Sequence, residues 1–198
     1  MYFNSRKQAG EILLARMVHM GGIYENLKIL CLNEKSQEIA QPIAEYFKVG
    51  IKRFLTASIK LPREPDTFAV IDQRGEIHYD DKLPESTLNE MLGEYHNYID
   101  QKRIEAVHRL NMRSKNEDII DAKDMKHSTV LTVTDAATSG LDYKVIYEFL
   151  KPIDTKKIIA ASPIATVKAV DKMHIYSDEI QVLSVTDNFI SADHYYEG

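Results

Sequence analysis

The chain has one cysteine, Cys31, in 198 residues, so an internal disulfide is excluded. A reducing, cytoplasmic setting is expected. No run approaches the ~18 consecutive apolar residues that a membrane span requires. The start, with Asn4, Ser5, Arg6 and Lys7 ahead of a broken apolar pattern, lacks the form of a secretory signal. Positive charge is also in short supply: 25 Lys and Arg against 30 Asp and Glu leave a net charge of −5, which argues against a broad nucleic-acid surface. One basic cluster runs through Lys102, Arg103, His108, Arg109, Arg113 and Lys115, interleaved with Ile104, Val107 and Leu110 at helical spacing, and reads as a solvated helix face. The histidines at 19, 78, 96, 108, 127, 174 and 194 show neither HxH nor HExxH spacing, so no protein-held metal is expected. There is no G-x-S-x-G nucleophile elbow. Internal repeats and low-complexity segments are missing too, and the apolar and charged fractions of 44% and 28% are those of an ordinary globular protein. The length fits a single domain over residues 1–198 with a substantial core.

The most informative stretch runs from Val130 to Asp142. A β-branched apolar run, Val130 to Val133, leads into Thr134 and Asp135. The small residues Ala136, Ala137, Thr138, Ser139 and Gly140 follow, then Leu141 and Asp142, with a helical pattern from near Tyr143. Such a strand-loop-helix junction suits ligand binding, because in open α/β sheets ligands collect at the carboxyl ends of strands. A loop of small residues also lets backbone N–H groups approach an anion.

Elsewhere, Ile12, Leu13, Met17 and Val18 predict a helix from an N-cap at Ser5 to about Met20, stopped by Gly21-Gly22. Leu27 to Leu32 reads as a buried strand, and Ile39, Ala40, Ile43, Ala44 and Phe47 as the apolar stripe of a second helix, with Pro42 in its first turns. Extended segments are predicted at Ile51–Leu55, Phe68–Ile71 and Glu76–Tyr79, the last two joined by a hairpin turn over residues 72–75. A two-proline loop covers Leu61 to Asp66. Residues 85–113 carry a helical pattern divided near Gly93 or at Asp100-Gln101-Lys102. Strands at 157–161 and 179–185 flank a helix from Thr166 to Met173. The alternation predicts an α/β fold, with a mainly parallel twisted sheet covered by helices on both faces and a small hairpin or hood region.

With these pieces in order, the chain resembles the type I phosphoribosyltransferases, and in particular the bacterial and archaeal group called predicted phosphoribosyltransferases. The opening from Phe3 to Ala15 is similar to that group's F-x-x-R-x-x-A-G-x-x-L-A start. Phe189 to Glu197 resembles its F-x-x-V-G-x-W-Y-E/D close, and Ala161-Ser162-Pro163-Ile164-Ala165 its A-x-P-V-A strand. The resemblance covers nearly the whole chain. It implies a strand ending in two acids that hold the ribose of phosphoribosyl diphosphate, and a G-x-A-T-G-x-T loop that holds the 5′-phosphate.

On that pattern the ribose and phosphate candidates are Thr134, Asp135, Ala136, Ala137, Thr138, Ser139, Gly140 and Asp142. Asp135, Ser139 and Gly140 match in kind, whereas Thr134, Ala136, Thr138 and Asp142 depart from it. A carboxylate ~5 Å from a phosphate charge costs about 1 kcal/mol in water-like surroundings and ~3 kcal/mol at an effective dielectric near 20, so Asp142 works against the usual donor. Thr134 removes a charged acceptor for the ribose. The family's pyrophosphate loop, normally R-G-G-like, is replaced by Asn33 to Glu38, where Glu34 adds negative charge and Lys35 and Ser36 are the remaining anion-binding candidates. Tyr195 and Tyr196 either stack on a ligand ring or pin the C-terminal segment to the body.

These departures imply a degenerate phosphoribosyl diphosphate site in a non-catalytic ligand-binding or oligomeric interaction module. The alternative is a divergent active phosphoribosyltransferase acting on an unknown acceptor. No cofactor is required by the sequence, and Mg²⁺ would accompany the donor if the protein is active. The expected partner is a phosphate- or nucleotide-like small molecule, with no nucleic acid and no membrane. By analogy with the family a homo-oligomer, in the simplest case a homodimer, is expected.

Overall fold

The computed structural model describes all residues except 1, 23, 65, 66, 82, 116–118 and 198. The first half of the chain forms α1 (Arg6–His19), β1 (Leu27–Cys31), α2 (Ser36–Phe47), β2 (Ile51–Arg53), β3 (Thr56–Ile59), β4 (Ala69–Asp72), β5 (Ile77–Tyr79) and α3 (Glu85–Glu94). The second half forms α4 (His96–Ser114), β6 (Thr129–Val133), β7 (Ala136–Ala137), α5 (Leu141–Leu150), β8 (Lys157–Thr166), α6 (Val167–Tyr176) and β9 (Glu179–Thr186). Two compact units result: Met1–Phe54 with Asp118–Gly198, and Leu55–Glu117.

The larger unit is built on a parallel sheet in the order β2-β1-β6-β8, with β9 on the far side of β8 and the short β7 pairing the second half of β8. Register explains its core. Ile29, Leu131 and Ile159 are direct neighbours across β1, β6 and β8, as are Cys31, Val133 and Ala161, and all six are fully buried. These rows pack with Ala9, Leu13 and Met17 of α1 and Ile39, Ala40 and Ile43 of α2. On the other side of the pleat Ala160 and Ala165 pack with Tyr143 of α5 and Ala169 and Met173 of α6. Each large apolar side chain buried this way contributes about 1.5–3 kcal/mol relative to an exposed one. The expected mainly parallel sheet with helices on both faces is what the chain forms.

Local signals set the helix ends. Ser5 caps α1 by accepting a hydrogen bond from the Gln8 N–H (3.1 Å), while the Gln8 side chain accepts from the Asn4 N–H (2.8 Å), a variant of the capping box. Pro42 is the one marked departure. It lies in the middle of α2, not in the first turns as the sequence suggests, and is buried there. It packs against α1: a Cβ on Gly10 would come within 2.2 Å of the Ile39 carbonyl oxygen and 2.8 Å of Pro42 Cγ, so the two helices meet closely at this point.

Within the smaller unit β3, β4 and β5 make an antiparallel sheet, the hairpin turn running from Asp72 to Gly75 as expected. Strand β3 carries little signal in the sequence, since Thr56-Ala57-Ser58-Ile59 offers only one large apolar residue. The long helical segment divides at Tyr95, next to Gly93 and not at Asp100 to Lys102. On α4, Leu110 is buried, but Ile104 is 71% exposed and does not face inward. Part of the predicted two-proline loop, Pro65 and Asp66, lies outside the described residues. Among the described residues no helix is long and apolar enough to cross a membrane.

Candidate functional site

The site begins with a gap in the sheet. β6 pairs β8 as far as Val133 opposite Ala161, and pairing resumes only with Ala136 opposite Ile164. Pro163 lies in that interval, where it has no N–H to offer a ladder. Thr134 and Asp135 therefore leave the regular strand here, Thr134 keeping a bond from its N–H to the Ala161 carbonyl (3.2 Å). Both are buried.

Asp135 is fully engaged by the protein. Its Oδ2 accepts from Arg6 Nη2 (3.2 Å) and Nε (3.4 Å), and its Oδ1 accepts from Asn33 Nδ2 (2.9 Å). Its backbone carbonyl accepts from the Tyr196 hydroxyl (2.5 Å). Asn33 Nδ2 also donates to Thr134 Oγ1 (3.0 Å). Arg6 sits at the first position of α1 with only 9% of its side chain exposed, lies 4.5 Å from the centre of the Tyr196 ring, and donates to Asp193 Oδ1 (2.5 Å). Burial opposes its charge, but the hydrogen bonds and charges of Asp193 and Asp135 outweigh that and raise its pKa. Burial, then the Asp135 charge, likewise raise the Tyr196 phenol.

The pyrophosphate-loop candidates are tied into the same cluster. Lys35, at the N-cap position of α2, grips both oxygens of Asp193 (2.7 and 2.8 Å). Ser36 is buried and closes the loop on itself: its hydroxyl donates to the Asn33 carbonyl (2.6 Å), and its N–H donates to Asn33 Oδ1 (2.8 Å). Asp193 is held below the usual carboxylate range by hydrogen bonds from Lys35 and Arg6. Cys31, at the end of β1, is buried with its thiol pushed up to about 11, which makes it a poor nucleophile at neutral pH.

The predicted small-residue loop is shorter than its sequence suggests. Ala136 and Ala137 are tied to β8 as β7, leaving Thr138, Ser139 and Gly140 as the loop proper. The Thr138 carbonyl accepts from the Thr166 hydroxyl (2.5 Å), and Ser139 Oγ accepts from the Leu141 N–H (3.3 Å). Gly140 is the N-cap of α5 with φ of 73°, a conformation that favours glycine, and a Cβ there would come within 2.7 Å of Lys172 Cβ. Helix α5 starts at Leu141, not near Tyr143, so Asp142 falls inside its first turn. There the helix dipole favours a carboxylate. Asp142 keeps some surface open to solvent, yet the protein packed around its carboxyl raises its pKa by desolvation.

Three residues of this cluster are not marked as site residues by the sequence: Arg6, Asn33 and Asp193. Arg6 and Asp193 lie within the opening and closing motifs, which the fold brings together through a bridge between Phe3 and Tyr196. Asn33 lies two positions before Lys35, in the segment that the resemblance aligns with a pyrophosphate loop. Tyr196 stacks on Phe3, and Tyr195 stacks on Tyr2 and Phe189 with its hydroxyl donating to the Asn188 carbonyl (3.1 Å), so both tyrosines pack against the chain itself. In the smaller unit, Asp72, Glu76 and His78 bring potential metal-binding atoms within 4.8 Å of one another. Arg74 already pairs with both carboxylates at 3.4 Å, and Asp72 Oδ1 accepts the Arg74 and Glu76 N–H groups, which is the bonding of a structural turn.

No family model and no curated protein sequence matches the chain. Among solved structures it is similar to the protein TT1426 from Thermus thermophilus, with a TM-score of 0.73 at 18% identity over 100% of this chain and 91% of that one. It is also similar to a purine phosphoribosyltransferase from Pyrococcus horikoshii, with a TM-score of 0.52 at 10% identity over 100% and 92%. A hypothetical protein from Neisseria gonorrhoeae with bound ppGpp matches with a TM-score of 0.51 at 12% identity over 99% and 86%. The chain has the type I phosphoribosyltransferase-like fold.

Proposed function

We propose that this chain is a phosphoribosyltransferase-fold protein that binds a phosphate- or nucleotide-like anion and does not transfer a phosphoribosyl group. One observation carries the reading: both carboxylate oxygens of Asp135 are bonded to Arg6 and Asn33 in a buried setting. To receive ribose hydroxyls, Asp135 would have to give up charge-assisted bonds of the stronger class. Thr134, at the place of the first of the family's two acids, receives the Asn33 amide instead. The carboxylate of Asp142 in the first turn of α5 opposes a 5′-phosphate at that helix end. Any Mg²⁺ would enter on the diphosphate of a donor and not on a free Asp135. The Neisseria gonorrhoeae protein of the same fold, with its bound ppGpp, supports a phosphorylated nucleotide as the class of ligand. Self-association into a homodimer, with the fold serving as an interaction module, is compatible with this role.

Calorimetric titration with phosphoribosyl diphosphate and Mg²⁺ is the test. Weak binding is expected, no tighter than that of inorganic pyrophosphate because Asp135 adds no ribose contact, against the micromolar values usual for enzymes and their substrates. Micromolar binding that is lost in Asp135→Ala overturns the reading in favour of an active phosphoribosyltransferase. In the paired exchange Thr134→Asp with Asp142→Thr, donor binding is expected to improve. If it does not, the damage has been assigned to the wrong residues.

A further inference from the structure

The Lys35 and Arg6 head groups converge on one carboxylate, and it belongs to the chain itself. Asp193 Oδ1 lies 2.5 Å from Arg6 Nη2 and 2.7 Å from Lys35 Nζ, and Oδ2 lies 2.8 Å from Lys35 Nζ. The two cations come from different elements, Arg6 from the first turn of α1 and Lys35 from the loop before α2. Their spacing therefore already fits a small oxyanion. The participants differ in how firmly they are held. The Arg6 side chain is 9% exposed and is anchored by Asp135 and Tyr196, whereas that of Asp193 is 64% exposed. Asp193 is carried on a short 3-10 turn, Ala192–Tyr195, whose cap is the Ser191 hydroxyl. The Lys35–Asp193 pair is exposed on both sides and so is worth little, and Arg6 keeps its bond to Asp135 when Asp193 leaves, so Asp193 is the partner that can leave without unmaking the rest of the cluster.

We propose that Asp193 is a tethered occupant of an oxyanion cradle formed by Lys35 and Arg6, displaced when an inorganic phosphate, a diphosphate or the phosphate tail of a nucleotide binds. This rests on the reading of the chain as an anion-binding protein and adds to it a built-in competitor at the C-terminal end. A carboxylate tethered beside the cradle competes with every ligand for the same two cations, so a singly charged ligand gains little by displacing it and a multiply charged one gains more. Discrimination follows from charge: a diphosphate gains more from the two cations than the single carboxylate it displaces.

The test titrates inorganic pyrophosphate, without Mg²⁺, into the wild-type protein, Asp193→Asn and the double variant Asp193→Asn with Lys35→Met. Removing one like charge ~5 Å from the ligand is expected to tighten binding by about tenfold or more. Adding Lys35→Met is expected to cancel the gain. In the wild-type protein, pyrophosphate is expected to speed amide hydrogen exchange over residues 191–196. This second readout needs no variant and decides the matter should Asp193→Asn fail to fold. Equal or weaker binding to folded Asp193→Asn, or exchange over 191–196 unmoved by bound pyrophosphate, overturns the tethered occupant while leaving anion binding intact. If neither the wild-type protein nor Asp193→Asn binds pyrophosphate at millimolar concentration, the anion-binding reading falls, and the competitor falls with it.

Discussion

Substituting Arg6→Met isolates the interaction that holds the candidate site closed. Methionine keeps the unbranched stem and its packing but removes the guanidinium, so Asp135 loses its ionic partner while retaining the Asn33 amide at 2.9 Å. The two side chains are 9% and 7% exposed, which places the pair among buried ion pairs and not surface ones. Breaking a buried pair from one side costs about 3–5 kcal/mol, because the remaining charge is left uncompensated. The surviving bond to Asn33 argues for the lower end. The guanidinium over the Tyr196 ring adds about 0.5–1 kcal/mol. A loss of about 3–4 kcal/mol is therefore expected, which for a chain of this size lowers Tm by about 10 °C. Thermal and urea denaturation followed by circular dichroism measure it, and a cycle with Asp135→Asn separates the pair from the packing. A loss below about 1 kcal/mol would place the pair in the range of solvent-screened surface bridges. It would then be too weak to keep Asp135 from a ligand, and the reasoning from closure would fail.

Asp142→Asn is expected to stabilise the protein at pH 7. Burial raises the native pKa of this carboxyl, so the ionised form is penalised above its ordinary range and the penalty vanishes at low pH. A Tm gain of a few degrees at pH 7 that disappears near pH 3 is the outcome looked for in paired thermal melts. Gly140→Ala forces a side chain onto a backbone with φ of 73° and drives its Cβ against Lys172. A loss of about 3 kcal/mol is expected from the two effects, read by urea denaturation. Asp72 acts in the opposite sense to Asp142. Burial pushes it up, but hydrogen bonds from His78 and the Glu76 and Arg74 backbone, with the Arg74 charge, bring it below its ordinary value. Its contribution is complete above the unfolded value near ~4 and is lost as pH falls through the lower native one. Amide exchange in the β4–β5 hairpin should accelerate over that interval in the wild-type protein and show no such step in Asp72→Asn.

The parts of the fold that depend on neighbours in sequence were legible from the sequence. Apolar spacing located α1, α2 and the buried strands, and Ser5 and the 72–75 turn behaved as their chemistry requires. Errors came where a distant contact overrode a local rule. Pro42 sits mid-helix and packs against Gly10 of α1, a contact that nothing near Pro42 in sequence records. Ala136 and Ala137 look like loop residues, yet β8 continues past Pro163 and recruits them. The charge cluster was the least legible feature. Arg6 and Asp193 are 187 positions apart, and only the parallel course of the chain ends beside each other joins them.

Charge balance links the fold to the proposed preference for a simple anion over a phosphoribosyl donor. In the cluster around Asp135 two cations, Arg6 and Lys35, face two carboxylates, Asp135 and Asp193. A diphosphate donor brings several negative charges and needs cations that are not already matched. The cluster can supply them only by releasing a carboxylate, and the two carboxylates differ in what release would cost. Freeing the Asp135 carboxylate breaks its buried bonds to Arg6 and Asn33, the first of which ties α1 to the end of β6. Freeing Asp193 breaks two pairs, one with the exposed Lys35 and one with the buried Arg6, but Asp193 itself is exposed and Arg6 keeps Asp135 as a partner. On the proposed reading, ligands that need only Lys35 and Arg6 displace the exposed Asp193, whereas a ribose that needs Asp135 must displace its buried bonds to Arg6 and Asn33.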